Sequence, residues 1–150
     1  MIVRPATPAD IAALADIAVA AYRLAFLGII GDNGLTMFTC AYFSERFARE
    51  CSAITVAEQD RAILGFVEVR DGTLDMLFIA PSRVRSGVGR LLLADAERRG
   101  AVRLECFRDN AGARSFYERH GWSAARSYSR QYAGAEHAFV AYEKPVTASA

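Results

Sequence analysis

The sequence lacks an excess of charge of either sign. Lys and Arg number 18 against 17 Asp and Glu, a formal net charge of +1. So close a balance removes any general electrostatic reason to expect nucleic acid or an anionic membrane as a partner. Cysteine is scarce too: Cys40, Cys51 and Cys106 make an odd set whose spacing fits no zinc template, so no metal centre is expected. They read as the reduced thiols of a cytoplasmic protein. The start, Met1-Ile-Val-Arg-Pro-Ala-Thr, lacks the basic-then-apolar order of a signal peptide. No uninterrupted apolar run reaches the roughly 18 residues that span a bilayer. Repeats, linkers and low-complexity tracts are missing as well. What is present is a chain of 150 residues with 53% apolar content. That suits one domain over residues 1–150 with one hydrophobic core.

The pattern predicts a short strand over residues 2–5 and then a helix. Thr7 is placed to cap, Pro8 suits a first turn, and Asp10 favours the positive helix end. Apolar residues at Ile11, Leu14, Ile17, Ala18, Tyr22 and Ala25 follow helical spacing. The glycines of the Gly28–Gly34 region are expected to break it, and a second helix is expected from Met37 to Glu50. Strands are predicted over 52–59, 61–70 and 73–80, the last two joined by an Asp71-Gly72 hairpin. A helix over 87–99, a strand over 102–107, a helix over 110–120 and two closing strands complete the order. The expected fold is α/β (α+β): a mixed, mainly antiparallel sheet of about seven strands with four helices and one central β-α-β crossover.

One segment invites a ligand. Pro81-Ser-Arg-Val-Arg-Ser-Gly87-Val-Gly89-Arg-Leu-Leu-Leu93 sits where a strand hands over to a helix. Glycines there allow close approach of the backbone, so the free N–H groups of the first turn can converge on an anion. Arg83, Arg85 and Arg90 add positive charge around them. A dinucleotide fingerprint would need a third glycine where Leu92 stands, and a nucleotide-triphosphate loop would need Gly-Lys-Ser/Thr. Neither is present, but the anion site survives.

These residues resemble the GNAT superfamily of acyl-CoA-dependent N-acetyltransferases. The central motif of that family is a hydrophobic strand, x-Pro, Arg/Gln-x-x-Gly-x-Gly/Ala and a Leu-rich helix. Here it reads Leu77-Phe78-Ile79-Ala80-Pro81 and Val84-Arg85-Ser86-Gly87-Val88-Gly89. Val84 departs from the usual Arg or Gln, at a position that contributes mainly its backbone N–H. A second family motif follows as Asn110-Ala-Gly-Ala113-Arg-Ser-Phe116-Tyr117-Glu-Arg-His-Gly121-Trp122. Together the two motifs cover about a third of the chain.

The resemblance implies acetyl-CoA as cosubstrate. Leu77, Phe78 and Ile79 would offer backbone groups to its pantetheine arm, along a strand splayed from its neighbour. Val84, Arg85, Ser86, Gly87, Val88, Gly89 and Arg90 would hold the pyrophosphate. Asn110 would contact the cofactor or cap its helix, and Tyr117 would be the general acid. Amide formation also needs a neutral amine, hence a base. Asp75, on the face of Leu77 and Ile79 if pairing is regular, and Glu68 on the strand before are the candidates. Glu105 falls on the face opposite Leu104 and Cys106. His120 reads as a surface cap, and His137 as exposed. Tyr22, Phe26, Phe38, Tyr42, Tyr128, Tyr132 and Phe139 fall where this fold builds its acceptor pocket. The expected activity is transfer of acetyl to a primary amine of a small molecule or peptide. The alternative is a catalytically silent CoA-binding sensor or scaffold. A homodimer is compatible with the apolar Ala138–Tyr142 run.

Overall fold

The computed structural model describes residues 1–145. The sheet begins with β1 (Ile2–Pro5), followed by α1 (Ile11–Leu35) and α2 (Cys40–Glu50). Three strands come next, β2 (Ile54–Gln59), β3 (Ala62–Arg70) and β4 (Thr73–Ile79). Then come α3 (Val88–Arg98), β5 (Arg103–Phe107), α4 (Ala111–Arg119), β6 (Ser123–Tyr132) and β7 (Ala135–Glu143). The seven strands lie in the order β1-β2-β3-β4-β5-β7-β6. All neighbours are antiparallel except β4 and β5, the parallel pair that α3 connects.

Alternation along the strands divides the core in two. On one face α1 and α2 bury Leu14, Tyr22, Phe43 and Phe47 against Ile54, Phe66 and Met76. On the other, α3 and α4 bury Val88, Leu92, Leu93 and Tyr117 against Val67, Leu74, Leu104 and Tyr142. Gly65 on β3 is part of that fit. A Cβ there would lie 2.8 Å from the Phe78 carbonyl oxygen and 3.2 Å from Leu92, so the close packing of α3 requires glycine.

The first helix is longer than its pattern implies. It continues past Gly28 to Leu35, with a kink at Gly31 (φ 71°, ψ 175°) in place of a break. Glycine costs a helix only about 1 kcal/mol, and here Ile29, Ile30 and Leu35 extend the apolar face against the core. The second helix starts later, at Cys40, because the Thr39 hydroxyl caps it by accepting from the Tyr42 N–H at 3.1 Å. By length and composition Pro8–Leu35 is apolar enough to cross a membrane. Its Leu14, Ala15, Ala18, Tyr22 and Phe26 are instead buried in this core.

Near the start of the chain, Asp10 Oδ2 accepts from the Thr7 N–H at 2.8 Å, and both Asp10 oxygens accept from Arg4. The Arg4 guanidinium pulls the Asp10 carboxyl down to about 2. That ties β1 to the start of α1.

Candidate active site

Strands β4 and β5 are paired at one position only, Thr73 with Arg103. Beyond it they diverge, and the edge of β4 from Asp75 to Ile79 has no ladder to β5. A cleft of about 510 Å³ fills the gap. Tyr22, Phe26 and Arg46 line it from one face of the sheet, and Asn110, Ala113 and Tyr117 from the other. The split therefore joins the two faces.

At the start of α3 the chain forms an anion cradle. Gly87 is the N-cap at φ 88°, a conformation that L side chains resist. A Cβ on Gly87 would meet nothing within 4 Å, so the space outside the loop is open. Among the described residues, the N–H groups of Ser86 to Arg90 find no protein acceptor. Leu91 is the first to bond back, to the Gly87 carbonyl at 3.2 Å. Ser86 spends its hydroxyl on the Arg83 carbonyl, which braces the loop. Val84 and Arg85 are exposed, and Val88 is buried beneath the loop. A Cβ on Gly89 would touch the Phe116 ring at 3.4 Å, so α3 meets α4 at this end. Free N–H groups at a helix N-terminus, with Arg83, Arg85 and Arg90 exposed around them, make a donor set that fits a pyrophosphate.

Tyr117 reaches the cleft from α4. Its ring is buried beside Trp122 and Tyr142, and its hydroxyl makes no hydrogen bond with the described residues. Burial, and secondarily Cys106, raises its pKa well above the ordinary phenol range, so the group holds its proton at neutral pH. Cys106 lines the same wall, with its thiol pushed up to about 11 by burial. Asn110 caps α4, its Oδ1 accepting from the Ala113 N–H at 3.2 Å, and also lines the cleft.

The acids are arranged differently from a regular strand pattern. Glu68 pairs with Met76 and Val69 with Leu74, so Asp75 is an extra residue, a β-bulge. The bulge breaks the expected alternation: Leu77 and Ile79 face α3, while Asp75 lines the cleft and accepts from Arg70 Nε at 2.9 Å. Glu68 is fully buried and is not part of the cleft wall. Its Oε1 accepts from Arg46 Nη2 at 3.2 Å, while its Oε2 meets no donor. Burial first, and a hydrogen bond with Glu50 second, push its carboxyl up to about 8. Burial thus favours the neutral form of this carboxyl over the carboxylate. Glu105 does face the cleft, bonded to Tyr128 and Arg130.

Of the aromatic residues read from the sequence, Tyr22, Phe26, Tyr128, Tyr132 and Phe139 line the cleft. Phe38 is buried behind them, and Tyr42 packs against Phe38. His120 bonds the Phe116 carbonyl at the end of α4, as a cap would. His137 is half-buried, edge-on to Phe107, where the sequence suggested exposure.

Sequence reasoning passed over Arg46, Glu50 and Gly65. The first two carry a helical i, i+4 charge signal. An isolated glycine in a strand pattern marks close backbone approach.

An open mixed sheet split between two parallel strands, with a glycine cradle on the connecting helix and an aromatic cleft behind, is the frame of a GNAT-type acyl-CoA fold. The chain belongs to that family: the model of the acetyltransferase (GNAT) domain matches residues 30–144. Solved structures agree on the fold. A GCN5-related N-acetyltransferase from Rhodopseudomonas palustris superposes with a TM-score of 0.76 at 24% identity, over 97% of this chain and 95% of that one. PaiA N-acetyltransferase from Thermoplasma acidophilum, in complex with coenzyme A, gives 0.74 at 18% identity, over 96% and 98%. Among curated proteins, peptidyl-lysine N-acetyltransferase YiaC of Escherichia coli (strain K12) is 36% identical over 69 residues. That match spans 45% of this chain and 47% of the relative, about half the length of each.

Proposed function

We propose that this protein transfers the acetyl group of acetyl-CoA to a primary amine of a small molecule or a peptide, within a ternary complex. The observation that carries the reading is Tyr117, a protonated phenol with an unused hydroxyl on the wall of the β4–β5 split. Family membership and the pyrophosphate-fitting cradle supply its context.

Acetyl-CoA supplies an activated acyl thioester. The protein's residues do the rest. The N–H groups of Ser86 to Arg90 hold phosphate oxygens, and the unpaired edge of β4 at Leu77, Phe78 and Ile79 aligns an extended arm by strand-like hydrogen bonding. Asn110 fixes the start of α4 and so the place of Tyr117. Asp75, aimed into the cleft by its bulge, binds the incoming ammonium and takes its proton directly or through water. Tyr117 holds a proton at Oη, where a departing thiolate needs one. In this reading Glu68, buried away from the cleft wall, is not the base. We assign the protein to the cytoplasm, in keeping with the three unpaired thiols.

The test is a panel of amines with acetyl-CoA, read by release of free thiol. Turnover that falls in Tyr117→Phe while CoA binding stays intact supports the reading. CoA binding without turnover on any amine makes the protein a CoA-binding module instead.

A further inference from the structure

The acceptor side of the cleft ends in an unusual donor set. Arg46 on α2 lines it, with its side chain 21% exposed. Its Nε donates to Glu50 Oε2 at 2.9 Å and its Nη2 to Glu68 Oε1 at 3.2 Å. A guanidinium has five N–H donors, so most of them remain. Beside it the Tyr22 and Tyr132 hydroxyls lie 3.3 Å apart. One donates to the other, which leaves one phenol proton unspent. The guanidinium offers only donors and the phenol pair has a proton to spare, so this end suits a ligand that accepts hydrogen bonds.

The charge behind Arg46 supports the same choice. Arg46 and Glu50 on α2, Glu68 and Arg70 on β3 and Asp75 on β4 form one network, joined by Arg46–Glu50, Arg46–Glu68, Arg70–Glu50 and Arg70–Asp75 pairs. Tyr22 of α1 lines the cleft together with Arg46 and Asp75. Glu68 Oε2 meets no donor among the described residues, and burial together with the neighbouring Glu50 favours a proton on Glu68. Two cations then face two anions, and an incoming anion meets no net negative charge.

We propose that Arg46 is the specificity-determining group of the acceptor cleft and receives a carboxylate carried by the amine substrate, with Glu50 and Glu68 as positioning residues behind it. This rests on the acetyltransferase reading and narrows its acceptor to an amine that also bears a carboxylate. The carboxylate can belong to a free amino acid or to a peptide. The bidentate match between guanidinium and carboxylate supplies the selectivity.

The experiment compares glycine, β-alanine and γ-aminobutyrate with their own amides, and glycyl-aspartate with glycyl-asparagine. At least one acid should exceed its amide in kcat/KM by about tenfold, the worth of one charge-assisted hydrogen bond. Whether the free amino acids or the dipeptide show it names the source. In Arg46→Gln the ratio should collapse towards one, chiefly through KM, with CoA binding retained as the check on folding. In the wild type the ratio should fall above about pH 8, as Glu68 ionises and the network turns negative. Glu68→Gln, which keeps a neutral donor towards Glu50, should hold the ratio constant with pH.

Turnover with no preference for any acid overturns the proposal and leaves the acetyltransferase reading standing. A preference that survives Arg46→Gln overturns it equally. If no amine turns over, calorimetric binding of the N-acetylated acids decides. Binding lost in Arg46→Gln supports the subsite even as the enzymatic reading fails. Absence of binding to the wild type overturns it.

Discussion

Thr73 of β4 faces Arg103 of β5, and no other described residue of β4 pairs across that seam. Arg103 is fixed there by its guanidinium, which bonds the Asp71 carbonyl in the preceding hairpin, and by its N–H on the Gly72 carbonyl at 3.2 Å. The seam is closed at one end by these bonds and open at the other. The open end leaves backbone groups of β4 without partners beside a cleft.

Glycine at the cradle should be irreplaceable by an acid. Gly87→Glu places a negative side chain where the N–H groups converge and forces a left-handed conformation on a residue that resists it. Loss of detectable CoA binding by calorimetry is expected. Gly87→Ala should cost about 1 kcal/mol of stability from strain and weaken CoA binding far less.

Tyr117→Phe removes a proton without changing packing. kcat should fall by about 10²–10⁴, the range for a general acid. The dissociation constant for CoA should stay within a factor of about two, since a difference of 1.4 kcal/mol would be tenfold. An unchanged kcat would remove Tyr117 from the chemistry.

Asp75→Asn should lower kcat/KM most at neutral pH and progressively less as pH rises, where the free amine needs no base. Glu105→Gln, at an acid engaged by Tyr128 and Arg130, should not reproduce that profile. Matching pH–rate profiles for the two variants would point to water alone as the base.

Glu68 also sets a pH dependence of stability. Its folded carboxyl titrates near 8 against an ordinary value of 4.5, so its contribution is fully present below 4.5. It is lost as pH rises through about 8. Chemical denaturation should show Glu68→Gln gaining on the wild type across that interval. Asp10 works in the opposite sense: depressed to about 2, it supports the fold above its ordinary 3.8 and ceases to as pH falls through 2.

Gly65→Ala should destabilise by about 1–3 kcal/mol, the usual cost of overpacking. The added Cβ meets a carbonyl oxygen at 2.8 Å, and strand backbone moves less readily than a side chain. Each kcal/mol should lower the melting temperature of a chain this long by about 2–4 °C.

The sequence by itself determined most of the elements and the glycine loop before α3, because their causes are local. Period-two and period-3.6 runs, an Asp71-Gly72 turn and glycines after a strand act on their own neighbours in the chain. Tyr117 and Asn110 were singled out by the resemblance to the second family motif, since helical spacing alone reads Tyr117 as a core residue beside Phe116 and Asn110 as a cap. The tertiary structure alone decided what the acids do. Asp75 and Glu68 look alike in sequence, as single carboxylates on adjacent strands. A bulge in β4 turned one into the cleft, and the packing of α2 over β3 buried the other beside Arg46 and raised its pKa. The fate of a carboxyl depends on water and on partners brought in from 22 residues away, and no window of sequence contains either. The same holds for the cleft, which exists because two strands joined by a helix part company after a single pair.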